Sequence, residues 1–269
     1  TTIMVNERKS EQLLAAVPFV LGAVGGNTVT VSPDNIYNPF GIEITRAQYR
    51  NTQIFRTFSQ DVDTFYFGGG FTESYDLWDR SFAWDVNGIY SDNEQLDVTL
   101  GQFNRDVLAV GLGPSFIAAD GTPTCGTAAS PIAGCVPINL FGGPDGFTRE
   151  MADYASVNLK DQTQKELYNY TANITGDIFE LPAGPLGFAA GYEYRREQGF
   201  FLPDAITASG ATTGNAAQPT AGGFSLDEFY AEFNIPILKD LAFAQVLEFS
   251  VAARYSDYSN FGDTTNPKA

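Results

Sequence analysis

The sequence predicts an all-β fold: an antiparallel transmembrane β-barrel segment whose long extracellular loops contain short helices. Three observations carry this expectation. Apolar and polar side chains alternate with a period of two along about six segments, each segment is about nine residues or longer, and the connectors alternate between short and long. Strands of soluble proteins are typically nearer five or six residues.

The first apolar stretch, Leu13 to Val24, is interrupted by Pro18 and Gly22 and is too short to span a bilayer as a helix. It reads as a loop helix or packed loop, and no basic segment immediately precedes it to make it a signal-peptide core. Asp61 to Glu73 then groups Phe65, Phe67 and Phe71, and Phe82 to Ser91 groups Phe82, Trp84, Val86 and Tyr90. A short connector, Tyr75 to Ser81, joins them. The long connector Gly101 to Asp161 is rich in Gly, Pro and Thr, with short helices expected around Phe103 to Val110 and Thr148 to Tyr154, the second opened by Thr148 with Glu150 in its first turn.

Glu166 to Glu180 shows the clearest alternation: Tyr168, Tyr170, Ala172, Ile174, Gly176 and Ile178 against Asn169, Thr171, Asn173, Thr175 and Asp177. A helix would scramble that division. Leu181 to Pro185 turns the chain into Leu186 to Glu197, where Leu186, Phe188, Ala190, Tyr192 and Tyr194 oppose Glu193, Arg195 and Glu197. Phe201 to Gly222 is the second long connector. Asp227 to Ile237 sets Phe229, Ala231, Phe233 and Ile235 against Glu228, Tyr230 and Glu232, and after Pro236 to Ala244 the last segment, Leu247 to Ser256, opposes Leu247, Phe249, Val251, Ala253 and Tyr255 to Glu248, Ser250, Arg254 and Ser256. Short turns on one side and long loops on the other are the pattern of an outer-membrane barrel. Aromatic residues near the segment ends suit girdles at the membrane interfaces, although a soluble sandwich also uses them as cross-strand pairs.

Composition narrows the function classes. A formal charge of −17 over 269 residues argues against a nucleic-acid partner, and a mean hydropathy of −0.12 against a helical membrane protein. With no histidine, Ser-His-Asp and Cys-His nucleophile activation are absent, and no enzymatic activity is expected. Paired carboxylates on one strand face, Asp61 with Asp63 or Glu228 with Glu232, read as solvated. Oxygen donors for calcium are conceivable at Asp61, Asp63, Asp257 and Asp263, but no EF-hand spacing exists, and neither a metal site nor a cofactor is expected. Gly68 to Gly70 and Gly111 to Gly113 lack the strand-turn-helix context and the lysine of a phosphate loop. The two cysteines, Cys125 and Cys135, bracket a Gly- and Pro-containing loop and are expected to form a disulfide. That bond would remove loop entropy worth about 2–3 kcal/mol and implies an oxidising compartment.

Several stretches together resemble the β-barrel of TonB-dependent receptors, of the Xanthomonas and Caulobacter kind. They are Asn38 to Gly41, Gly121 to Gly126 with Cys135 to Pro144, Leu181 to Glu197, Gly223 to Pro236 and Ala252 to Ser259, in order between Asn38 and Pro267. The resemblance implies an outer-membrane transporter that takes up a bulky nutrient, an oligosaccharide or an iron chelate, with energy delivered by TonB. It also implies partners: outer-membrane lipid, a plug domain of the same protein, TonB acting through an N-terminal region, and the nutrient. No plug, TonB-contacting box or closing strand is recognisable, so residues 1–269 are expected to be a middle part of the barrel domain.

On this placement Glu193, Arg195, Glu228, Tyr230, Glu232 and Arg254 point into the lumen toward plug, water or ligand, and the loop aromatics Phe147 and Phe201 are candidates to stack on the nutrient. Two other classes fit the residues: a passive porin-like channel, and a soluble β-rich binding module.

Overall fold

The computed structural model describes residues 1–24 and 27–269. In chain order its strands are β1 (Thr2–Leu14), β2 (Pro18–Val24), β3 (Asn27–Val29), β4 (Ala47–Arg50), β5 (Arg56–Leu77), β6 (Arg80–Phe103), β7 (Ser115–Ile117), β8 (Pro123–Thr127), β9 (Ser130–Pro131), β10 (Ser156–Leu181), β11 (Gly184–Leu202), β12 (Thr220–Leu241), β13 (Ala244–Tyr258) and β14 (Gly262–Lys268). Three short helices are α1 (Arg105–Gly111), α2 (Arg149–Ala155) and α3 (Ala205–Ser209).

Eight strands form one antiparallel sheet in the order β1-β5-β6-β10-β11-β12-β13-β14, and β1 and β14 do not pair, so the sheet is not closed into a barrel. At one end Trp78-Asp79, Pro182-Ala183 and Ala242-Phe243 make two-residue turns. Trp78 and Asp79 have φ of 54° and 59°, the paired left-handed conformation whose twist matches a hairpin. At the other end lie the connections 15–55, 104–155 and 203–219, together with the turn 259–261 between β13 and β14. The division of connectors into short and long is therefore a division between the two ends of the sheet.

The strands outrun the alternating segments. β10 has 26 residues and β6 has 24, beyond the nine to eleven or so that cross a bilayer. Toward the long loops charge enters the apolar face at Asp61, Asp63, Asp92, Glu94 and Glu166, although Leu96, Val98 and Leu100 remain on it, so ladder pairing continues where the hydrophobic rhythm is broken. A bulge between Asp177 and Glu180 slips the register by one, which removes Ile178 from the expected row and leaves Phe179 exposed beside the turn. The opening stretch also departs from expectation. Leu13 and Leu14 end β1, and Pro18–Val24 is a strand rather than a loop helix, because it finds backbone partners in β3 and β4. Asn266 and Pro267 belong to β14, an edge position that tolerates a proline without an N–H.

The long connections fold together into a cap. Val17, Leu21, Val29, Val31, Phe103, Leu108, Leu112, Ile138, Phe147 and Met151 share one buried core, with β2, β3 and β4 on one side and α1 and α2 on the other. Asn104 caps α1 through its side-chain oxygen, which accepts from the Asp106 and Val107 N–H groups, and Thr148 caps α2 by accepting from Met151 N–H at 3.3 Å. The buried Asn35 carries the first connection onto the second by donating to the carbonyls of Gly111 and Gly113. Asp204 ties α3 to β10: its carboxylate accepts from Lys160 N–H, and its own N–H donates to Asp161. Cys125 and Cys135 are disulfide-bonded and staple the β7-β8-β9 hairpin of this cap.

Candidate functional site

Antiparallel pairing places directly opposed residues on the same face of a sheet. The register therefore sorts the eight-stranded sheet without ambiguity. Row by row, Asp85 opposes Asn173, which opposes Gly191, which opposes Tyr230, which opposes Arg254. Glu193 opposes Glu228 and Glu228 opposes Ser256, while Ala189 opposes Glu232. All six predicted lumen residues, Glu193, Arg195, Glu228, Tyr230, Glu232 and Arg254, accordingly share one polar face.

The other face is apolar over a band beside the short turns. Phe233 opposes both Phe188 and Val251, and Ile174 opposes Trp84. Two aromatic ladders run along this band. Near the turns Tyr75 stacks on Phe82 at 5.5 Å and Phe82 meets Phe188 at 6.3 Å. Farther up, Phe65 meets Tyr90 at 5.9 Å, Tyr90 meets Tyr168 at 4.8 Å, Tyr170 stacks on Tyr194 at 6.3 Å, and Tyr192 meets Phe229 at 4.8 Å. Above the upper ladder the same face becomes charged at Glu7, Asp61, Asp63, Asp92, Glu94 and Glu166.

Burial runs opposite to that of a water-soluble sheet. Glu228 and Ser256 are only 8 % and 3 % exposed, whereas their chain neighbours Phe229 and Tyr255 are 54 % and 41 % exposed. The polar face is thus the enclosed one. Its side chains pair extensively: Glu228 accepts from Ser256 Oγ at 2.7 Å and lies 3.3 Å from Arg254, Asn169 donates to Glu193 at 2.7 Å, and Arg195 sits between Glu193 (4.0 Å) and Glu197 (3.6 Å). Tyr230 donates to Asn173 Oδ1, and Asn173 Nδ2 donates onward to Asp85 at 2.9 Å. The arrangement is a hydrogen-bonding wall with alternating charge.

The two loop aromatics part company. Phe147 is fully buried, edge-on to Phe103 at 5.8 Å and beside Tyr49 at 5.5 Å, so it builds the cap core and has no face to offer a ligand. Its apolar neighbours in sequence, Pro144 and Met151, gave no sign that the loop around it would acquire a core. Phe201 is not in a loop but in β11, half-buried, opposite Thr163 and Thr220 on the polar face. The suggested calcium donors do not converge: Asp61 and Asp63 are on β5, whereas Asp257 faces Asp263 across β13 and β14. Asp61 and Asp63 do approach Glu7, but Lys9 already occupies that group, 2.6 Å from Glu7 and 3.2 Å from Asp61.

In the cap, burial raises the pKa of the Tyr37, Tyr49 and Tyr154 hydroxyls above the ordinary tyrosine value, with the Glu150 carboxylate adding to the effect at Tyr37. Asp120 is held below the usual carboxylate range by the Thr122 N–H that it accepts at 2.9 Å.

No protein-family model, no curated protein and no solved structure matches this chain.

Proposed function

We propose that this chain forms a sector of the wall of a large outer-membrane β-barrel, and that the complete protein is an energy-coupled receptor of the TonB-dependent kind importing a bulky nutrient. The inverted burial of the sheet carries the reading. Apolar side chains between two aromatic ladders face outward, and charged and amide side chains fill the enclosed face, which is the distribution that lipid outside and water inside would select. In water the same band would be a continuous exposed apolar surface, an aggregation liability.

Size and closure favour a large barrel. Eight strands can close on themselves into a small barrel, yet β1 and β14 stay apart, and an edge inside hydrocarbon needs a partner because every backbone polar group there must be satisfied. The strands also rise past the apolar band into a folded cap, the position from which loops would receive an external ligand before it meets a plug.

Energy coupling separates this reading from a passive channel. The purified complete protein, reconstituted in a planar bilayer, should hold its pore closed because a plug fills it. Steady open conductance would instead establish a porin-like channel. Recovery of the complete protein as a monomer in detergent-free buffer would remove the membrane reading altogether.

A further inference from the structure

We propose that the notch where Gly199 meets Gly222 on the enclosed face is a carbohydrate subsite, in which an uncharged sugar stacks on Phe224 and hydrogen-bonds Asn93, Lys165, Glu197 and Asn260. The inference rests on the reading of that face as a wetted lumen, and adds to it a ligand class and a place.

Gly199 and Gly222 oppose each other directly, so two neighbouring side chains are missing at one point of the wall. The result is a cavity of about 570 Å³ lined by Asn93, Lys165, Leu167, Glu197, Phe224 and Asn260, a volume within the range of small-molecule sites. It lies beyond the upper aromatic ladder, toward the cap, where a solute arriving from outside meets the wall first.

The two glycines have different reasons to be glycine. A Cβ on Gly199 would come within 2.6 Å of the Gln164 carbonyl oxygen, so the backbone itself demands the absence of a side chain. A Cβ on Gly222 would meet nothing within 4 Å. Glycine in a strand forfeits packing and costs backbone entropy. Neither a close contact nor a left-handed backbone requires it at 222, and what its bareness does accomplish is to keep the notch open.

The lining chemistry selects the ligand. Phe224 supplies an apolar ring, with the Arg195 guanidinium 5.9 Å from its centroid and Tyr258 at 6.1 Å, and Tyr258 continues to Phe261 at 4.2 Å. Lys165 makes no ion pair among the described residues and keeps its donors available. Asn93 commits an amide N–H to Thr64 Oγ1 at 2.7 Å and retains a carbonyl acceptor. Donors and acceptors around an aromatic ring match the C–H face and hydroxyl rim of a sugar. At the notch Lys165 and Arg195 are offset by Glu197 and Glu193, the two carboxylates that flank Arg195, so no excess positive charge is offered to a polyanionic iron chelate.

Calorimetric titration of the complete protein in detergent tests this with neutral tetrasaccharides built from glucose, xylose, mannose or galactose, and with ferric citrate as the anionic probe. At least one tetrasaccharide should bind and ferric citrate should not. Gly222→Phe, which fills the notch without a clash, and Phe224→Ala should each weaken that sugar about tenfold or more, with the melting temperature checked for each. Lys165→Ala and Glu197→Gln, at the exposed rim, should weaken it as well. Sugar binding unchanged by all four variants would overturn the site. Failure of every sugar to bind would overturn the ligand class, and ferric citrate binding in its place would leave the transporter reading standing while removing this one. A protein that needs no detergent would remove both.

Discussion

Tyr230 on β12 reaches across β11 and donates its hydroxyl to Asn173 Oδ1 on β10, 3.0 Å away. The ring can make that crossing only because the intervening residue is Gly191, where a Cβ would sit 2.3 Å from the tyrosine ring and 2.4 Å from Asn173 Oδ1. Three strands of the sheet are thereby locked in one register by a side chain lying flat on the polar face, the aromatic cover of a strand glycine.

Gly191→Val should therefore destabilise the protein by about 1–3 kcal/mol through overpacking. Tyr230→Ala alone should cost a comparable amount, and the double variant less than the sum, because the two changes act on one contact. Urea unfolding in lipid vesicles measures all three, and strict additivity would show that the tyrosine does not cover the glycine.

Charge placed on the two faces should have unequal consequences. Phe233→Arg or Val251→Arg puts a cation in the apolar band and should cost about 2–4 kcal/mol near mid-membrane. Ala252→Arg, one residue away on the polar face, should cost far less. Equal penalties would mean that the faces are not lipid and water.

Phe147→Ala should destabilise the cap by about 3–5 kcal/mol while leaving the strand signal of the sheet intact, since the ring packs on Phe103 and Tyr49 inside the cap core. Circular dichroism in the far and near ultraviolet separates the two. Loss of ligand affinity with an unchanged cap would return Phe147 to a binding role.

Much of this was legible in the residues, and the failures have physical causes. The rows Tyr168–Ile174, Phe188–Tyr194, Phe229–Ile235 and Phe249–Tyr255 could be read because apolar and polar side chains alternate along them and so sort onto opposite faces. Beyond Glu166 and Arg196 the alternation stops: Lys160, Asp161 and Lys165 carry charge into Ser156–Lys165, and Phe200, Phe201 and Leu202 run apolar without alternating. β1 was missed for the same reason: Ile3 and Val5 alternate, but Glu7, Lys9 and Glu11 continue the row with charge. The cap core was hidden because its members come from connections far apart in sequence, Val17 to Val31 and Phe103 to Ala155. Only the short helices around Phe103 to Val110 and Thr148 to Tyr154, the second opened by Thr148, and the cysteine pair are local enough to be read directly.

Reduction of the Cys125–Cys135 bond, which closes a loop with a separation of 10 residues, should cost the cap about 2–3 kcal/mol. The sheet should keep its unfolding midpoint. Urea titration with and without a reductant checks this, and loss of the whole sheet on reduction would show that cap and sheet unfold as one unit.

Alkaline pH should loosen the cap first. Because burial raises the folded pKa of Tyr37, Tyr49 and Tyr154, their contribution is fully present below the unfolded tyrosine value of about 10 and is lost as pH rises through the higher folded values. Tyr37→Phe with Tyr154→Phe should move the alkaline transition of the cap upward, followed by near-ultraviolet circular dichroism. An unmoved transition would show that these hydroxyls titrate freely.

The central claim is that alternate residues of one strand face lipid and water. Spin labels placed singly from Phe249 to Tyr255 on β13 of the complete protein in lipid vesicles test it most directly. Collision with oxygen, which concentrates in lipid, should peak at 249, 251, 253 and 255, and collision with a water-soluble nickel complex at 250, 252 and 254. Uniform access of the nickel complex to all seven positions would contradict the account.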